Sequence, residues 1–379
     1  MKIPFLNLKH VNAELDSEIK EAVAKVLESG WYILGKMGKT FEKNLARDLS
    51  RDSKGFVVGC NSGTDAIILS LLATGVTCGD EVITVSHTAI PTVAAIYAVG
   101  ATPVFIDVDP LTWVMDIAKV GQGLSNNTKA IIAVHLYGNM VDIPALAKLL
   151  QEMDRSEIVI IEDVAQAHGS SLGGYQAGTY GQFGCFSFYP SKNVGALGDG
   201  GAIYCHDPVN YDKLRMLRQY GQEHRYYATT QRGINSRLDE IQAAILDVKL
   251  PYLNKWNAYK KQLVDTYRQN MATLPITFQV ITSDCDPAWH LCVIKVPNKL
   301  VRDQLQSYLL QNDIQTLIHY PVPNHKQPSF FQGQSVSLPV TENLAECILS
   351  IPMNVMISEA EQQKIIAVIQ EFFKKTQAI

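Results

Sequence analysis

Short apolar runs alternate with longer, partly amphipathic stretches through the first two thirds of the chain. The runs at 56–59, 81–85, 104–108, 130–134, 158–161, 185–188 and 201–204 read as strands, and 65–73, 92–99 and 143–153 read as helices between them. Continuous apolar strands separated by helices predict a mostly parallel, seven-stranded sheet covered on both faces, an α/β architecture. From Arg237 the pattern turns helical: Leu238, Ile241, Ala244, Ile245, Val248 and Leu253 recur at helical spacing, with Pro251 placed to kink the run. After about residue 275 a new set of elements begins. It comprises a strand at 290–296, a helix at 302–312, the loop from His319 to His325 and a closing helix from Ser358. The break near 250–275 divides the chain into a large domain, 1–250, and a smaller C-terminal α+β domain, 251–379.

Charge and cysteine usage narrow the possible partners. A net charge of −4 offers no basic excess for nucleic acid and no polybasic segment for a membrane surface. The seven cysteines are odd in number and form no Cys-x-x-Cys pair, so they read as reduced thiols of a cytoplasmic protein. The first residues lack the apolar stretch of a signal peptide. The uncharged segment 87–106 is broken by Pro91, Gly100 and Pro103, which predicts a buried helix, a turn and a strand in place of a membrane span. No second histidine lies three or four residues from His87, so that residue carries no metal-ligand spacing.

Two segments carry the chemistry. Ile160-Ile-Glu-Asp163 is an apolar strand ending in an acid, and Phe186-Ser-Phe-Tyr-Pro-Ser-Lys192 places a lysine ahead of a glycine-rich loop about thirty residues later. A lysine amine can form a Schiff base with the aldehyde of pyridoxal phosphate, and a carboxylate facing the pyridine nitrogen favours the protonated ring. Asp163, Ser187 and Lys192 fall at or just beyond strand ends, where parallel sheets bind ligands. Gly63 and Thr64 precede a helix whose unpaired N–H groups and positive dipole end suit a phosphate. Each has a plainer reading: a helix cap for Asp163, an ordinary capped helix start at Gly63 and Thr64, and a solvated charge for Lys192.

An ordered series of motifs resolves the choice. Asn61-Ser-Gly-Thr-Asp-Ala66, Asp80-Glu-Val-Ile-Thr84, Pro103-Val-Phe-Ile-Asp-Val-Asp-Pro110 and Val134-His-Leu-Tyr-Gly138 come first. Glu162-Asp-Val-Ala-Gln-Ala-His-Gly169, the lysine segment, Gly198-Asp-Gly-Gly201, Asn235-Ser-Arg-Leu-Asp-Glu-Ile-Gln242 and His319-Tyr-Pro321 follow. Over nearly its full length the chain resembles the DegT/DnrJ/StrS family of sugar aminotransferases. That resemblance implies the aspartate-aminotransferase-like fold (fold type I), with pyridoxal phosphate held by Lys192. It places Asp163 on the pyridine nitrogen, Gln166 near the ring or its phenolic oxygen, and His87 stacked on the ring. Gly63, Thr64 and Ser187 would hold the phosphate, and Asn235 would reach it from the partner subunit of a homodimer. His168 reads either as a support for these groups or as packing. Trp31, Tyr32, His319, Tyr320 and His325 are candidate sugar-nucleotide contacts, or else simply pack their loops.

The implied reaction is transfer of an amino group from L-glutamate to a nucleotide-linked keto-sugar. The wording around Thr84-Val-Ser-His-Thr-Ala89 most resembles members that aminate C3 of a dTDP-linked 3-keto-6-deoxyhexose; a 4-keto sugar and a UDP-sugar stay open. Sugar dehydratases of the same scaffold carry histidine in place of the lysine, and Lys192 argues against them. Gly38-Lys39-Thr40 ends like a phosphate-binding loop, but the position that needs its first glycine is Ile33.

Overall fold

The computed structural model describes residues 2–50, 54–330 and 336–376. Its centre is a seven-stranded sheet of Phe56–Cys60 (β1), Glu81–Val85 (β2), Thr102–Ile106 (β3), Thr128–Val134 (β4), Val159–Asp163 (β5), Phe183–Ser187 (β6) and Gly201–Cys205 (β7). The spatial order is β1-β7-β6-β5-β4-β2-β3, and only β7 runs against its neighbours. The helices between the strands are Gly63–Ala73, Ile90–Ala98 and Ile143–Glu152, as the pattern predicts, within a few residues. Ser62 caps the first of them, its hydroxyl accepting from Asp65 N at 3.1 Å.

The segment 87–106 resolves into the nine-residue helix Ile90–Ala98, a turn through Gly100 at φ 84° and strand β3. Among the described residues no helix is long and apolar enough to cross a membrane. Strand β3 begins two residues earlier than the apolar pattern suggests, because it takes in Pro103. It lies at the sheet edge, where a missing N–H is tolerated.

The helical stretch beyond Arg237 is two helices, Glu240–Lys249 and Leu253–Asn270, joined by a tight turn that contains Pro251. A second apolar cluster joins Leu263, Val264 and Tyr267 to strands Cys292–Lys295 and Ile348–Ile351 and helices Lys299–Gln311 and Glu359–Thr376. The beginning of the chain crosses to this cluster: Ile3 N donates to Asp313 O at 2.7 Å, and Gln315 N donates to Ile3 O at 3.0 Å. Segment 5–12 therefore lies against C-terminal elements and walls a cavity beside Lys192.

Candidate active site

Asp163 is the last residue of β5, and its side chain is fixed from two directions. Oδ2 accepts from Thr92 Oγ1 at 2.8 Å, and Oδ1 accepts from Ala165 N at 3.1 Å. Thr92 also sits 2.9 Å from the hydroxyl of Thr88, so Thr92 holds the carboxylate from helix Ile90–Ala98 and is itself braced by a residue just ahead of that helix. Lys192 lies beyond β6. Its Nζ has no hydrogen-bond or ion-pair partner among the described residues. Loss of hydration lowers its pKa to about 8, opposed by the nearby Asp163 carboxylate. Thus the lysine and acid singled out in the sequence lie in one site, the acid oriented and the amine free.

On the other flank of β6, Ser187 touches the start of helix Gly63–Ala73. A Cβ built at Gly63 would lie 2.5 Å from Ser187 Cβ and 3.2 Å from its Oγ. The N–H groups of Gly63 and Thr64 find no acceptor among the described residues, as expected for the first turn of a helix. Two open amides and a hydroxyl thereby converge at a dipole end, a donor set that fits a phosphate.

His87, 1% exposed, places Nε2 at 3.0 Å from Tyr137 Oη. Tyr137 Oη donates to the His319 carbonyl, which leaves His87 Nε2 as the donor in their contact. Burial lowers His87 to about 4, with Asp107 opposing, so its ring is neutral near pH 7. Tyr137 is held at φ 62° just past β4, a conformation uncommon for a bulky residue. Its amide donates to Gln166 Oε1 at 2.8 Å, and Gln166 Nε2 donates to Tyr320 Oη at 2.9 Å. Burial, helped by Asp163, raises Tyr320 to about 12. Tyr137 and Thr92 carried no assigned role in the sequence reading. The Tyr-Gly pair at a strand end was the available signal for Tyr137; nothing local pointed to Thr92.

The other candidates scatter. His319 lines the cavity beside Lys192, and its Nδ1 lies 2.8 Å from Ser350 Oγ. His325 is buried with both ring nitrogens engaged, by Ser86 Oγ at 2.7 Å and Glu342 Oε1 at 3.3 Å, and it does not line that cavity. His168 packs edge-on against Phe188, its Nε2 buried without a partner among the described residues. Trp31, 64% exposed, lines a separate pocket with Glu240 and the cations of helix Lys36–Leu49, while Tyr32 is exposed beside it. Asn235 is exposed; the next residue, Ser236, ties the segment to helix Gly63–Ala73 by donating to Asp65 Oδ2 at 2.7 Å.

An amine without a partner, an oriented carboxylate, a neutral buried imidazole and an open helix start match what pyridoxal phosphate needs of a protein. Similarity to known proteins agrees. Residues 13–370 match the model of the DegT/DnrJ/EryC1/StrS aminotransferase family. The chain is 41% identical to the erythromycin biosynthesis sensory transduction protein EryC1 of Saccharopolyspora erythraea, covering 98% of this chain and 99% of that protein. It is 40% identical to the dTDP-3-amino-3,4,6-trideoxy-alpha-D-glucose transaminase of Streptomyces venezuelae, over 99% and 97%. Identity to the dTDP-3-amino-3,6-dideoxy-alpha-D-galactopyranose transaminase of Aneurinibacillus thermoaerophilus is 39%, over 98% and 99%. The crystal structure of S. venezuelae DesV superposes with a TM-score of 0.93 at 39% identity, covering 98% of this chain and 99% of that one. The chain belongs to the DegT/DnrJ/EryC1/StrS aminotransferase family, and it is a pyridoxal phosphate-dependent aminotransferase.

Proposed function

We propose that the protein transfers the amino group of L-glutamate to C3 of a dTDP-linked 3-keto-6-deoxyhexose, as a cytoplasmic homodimer with shared active sites. The observation that carries this reading is Lys192, whose amine stands without a partner beside an oriented Asp163. The dTDP-3-amino-sugar names of two full-length relatives support C3 and the nucleotide.

When bound, pyridoxal phosphate supplies the electron sink for a carbanion at the amino-bearing carbon. Lys192 Nζ would hold the cofactor, and its free amine would carry the proton to and from that carbon. A lowered pKa keeps a useful fraction of this amine neutral near pH 7 and able to accept the proton. Asp163, its Oδ2 fixed by Thr92, would hold the pyridine nitrogen of the bound cofactor cationic. The Gly63 and Thr64 amides and Ser187 Oγ would bind the phosphate, and His87 would pack on the ring. Gln166, locked between Tyr137 N and Tyr320 Oη, faces the ring or its phenolic oxygen. Asn235 reaches the partner's phosphate. His319 meets the sugar nucleotide from the cavity, Tyr320 meets it beside Gln166, and Trp31 and Tyr32 meet it from exposed surface outside that cavity.

Formation of 2-oxoglutarate from L-glutamate, dependent on the dTDP-3-keto-sugar, tests both the chemistry and the sharing. The wild type should turn over, Lys192→Ala should not, and Asn235→Ala should be impaired. Mixed after subunit exchange, the two variants should regain activity, since each hybrid dimer carries one site with both native residues. Hybrids no more active than the mean of the two parent variants would contradict a shared site.

A further inference from the structure

The cavity beside Lys192, about 700 Å³ in volume, holds more positive charge than the proposed chemistry uses. Its walls carry Lys192, Lys249 and Lys260 together with His290 and His319, and no aspartate or glutamate is among the lining residues. The two histidines add no charge near pH 7. Burial and the neighbouring lysines hold His290 well below its ordinary range, and burial and Lys192 lower His319 to about 4. Lys249 is accounted for, since its Nζ donates to Asn12 Oδ1 and Gly195 O, both at 2.7 Å.

Lys260 is not accounted for. It projects from helix Leu253–Asn270, is 8% exposed, and its Nζ has no hydrogen-bond or ion-pair partner among the described residues. Lysine is almost never this buried unless paired, because an ammonium out of water loses its hydration with nothing in return. Desolvation lowers its pKa to about 8, as it does for Lys192. Both lysines act electrostatically on His168 and His290, so they face one region; Lys192 has the Asp163 carboxylate nearby, whereas burial alone acts on Lys260. Such a site is completed by an anion brought in with the substrate. On the aminotransferase reading, on which this inference rests, the donor's α-carbon must come to Lys192 Nζ for proton transfer. Its carboxylates must then be accommodated close by, and the cavity is large enough for an amino acid.

We propose that Lys260 is the anion-binding residue of this cavity and holds a carboxylate of the amino acid donor. Glutarate, a dicarboxylate with no amine to react, is the binding probe, titrated calorimetrically into the cofactor-loaded protein. Lys260→Met should weaken glutarate binding by about tenfold or more, the range for losing a charged hydrogen bond. It should also raise by a similar factor the L-glutamate concentration needed to bleach the cofactor's yellow absorbance. Lys260→Arg should restore both, and the response to a dTDP-3-amino-3,6-dideoxyhexose should be unchanged. Thermal unfolding of Lys260→Met should be no earlier than wild type, because an unpaired buried charge has been replaced by an apolar chain. If that variant does not fold, Lys260→Gln serves in its place.

Unchanged glutarate and glutamate responses in a folded variant would overturn the proposal. Weakening confined to the sugar nucleotide would overturn it too, by assigning the cation to the diphosphate. A wild-type protein that ignores L-glutamate would count against the donor itself, whereas a normal wild-type response with an unaltered variant counts against Lys260 alone.

Discussion

Asp163 can act on a ring nitrogen only if its carboxylate is held still, and Thr92 does that holding across 71 residues of sequence. Thr92→Val removes one hydrogen bond to a charged acceptor, a loss of roughly 1.5–3 kcal/mol. We expect kcat/KM to fall by roughly ten- to a hundredfold, while Thr92→Ser stays near wild type; equal activity in the valine variant would remove Thr92 from the account. Lys192 gives a pH prediction. Its amine is cationic below a pKa of about 8 and neutral above it, and only the neutral form condenses with an aldehyde. The rate at which cofactor-free protein acquires yellow absorbance should therefore rise with pH and level off above about 8. A rate flat from pH 6 to 9 would contradict the lowered pKa. Lys192 and Asp163 were legible in the sequence because each sits at a strand end with a characteristic local wording. Thr92 and Lys260 were not, since the contact of one and the burial of the other are made across the fold and no spacing records them, and Tyr137 left only its Tyr-Gly pair at a strand end.

At the level of elements, the site depends on helix Gly63–Ala73 lying hard against the end of β6. Gly63 is needed there for space: a methyl group would meet Ser187 Cβ at 2.5 Å. Gly63→Ala should push the helix start away from Ser187 and weaken cofactor phosphate binding by roughly tenfold, the scale of a modest overpacking penalty. Fluorescence titration of cofactor into the stripped variant checks this; wild-type affinity would mean the two elements need not touch. The strands were readable because those buried on both faces are apolar throughout, and all seven were located to within two residues of their ends. Strand β3 was displaced by the same physics, as Pro103 looked like a strand breaker until its edge position was known. The boundary before helix Ile90–Ala98 was similarly obscured by Pro91, which the first turn of a helix accommodates.

For the whole molecule, the candidates divide by what one chain can bring together. Lys192, Asp163, Gln166, Tyr320 and the Gly63–Ser187 contact assemble within a single subunit. Asn235 and Trp31 lie on exposed surface, and a role at the site follows for them only through another copy or through substrate. That division explains why the cofactor site was more legible than the substrate site. Cofactor chemistry fixes residue types at strand ends, whereas sugar recognition depends on exposed loops and on how a nucleotide lies across them. The central claim is amino transfer at C3 through Lys192. Its most direct test is the absorbance of the yellow cofactor-loaded protein titrated with a dTDP-3-amino-3,6-dideoxyhexose, with L-glutamate as the parallel arm. Loss of the yellow band with both is the predicted result. Bleaching by glutamate alone would contradict the sugar, and a band that neither compound alters would contradict the role given to Lys192.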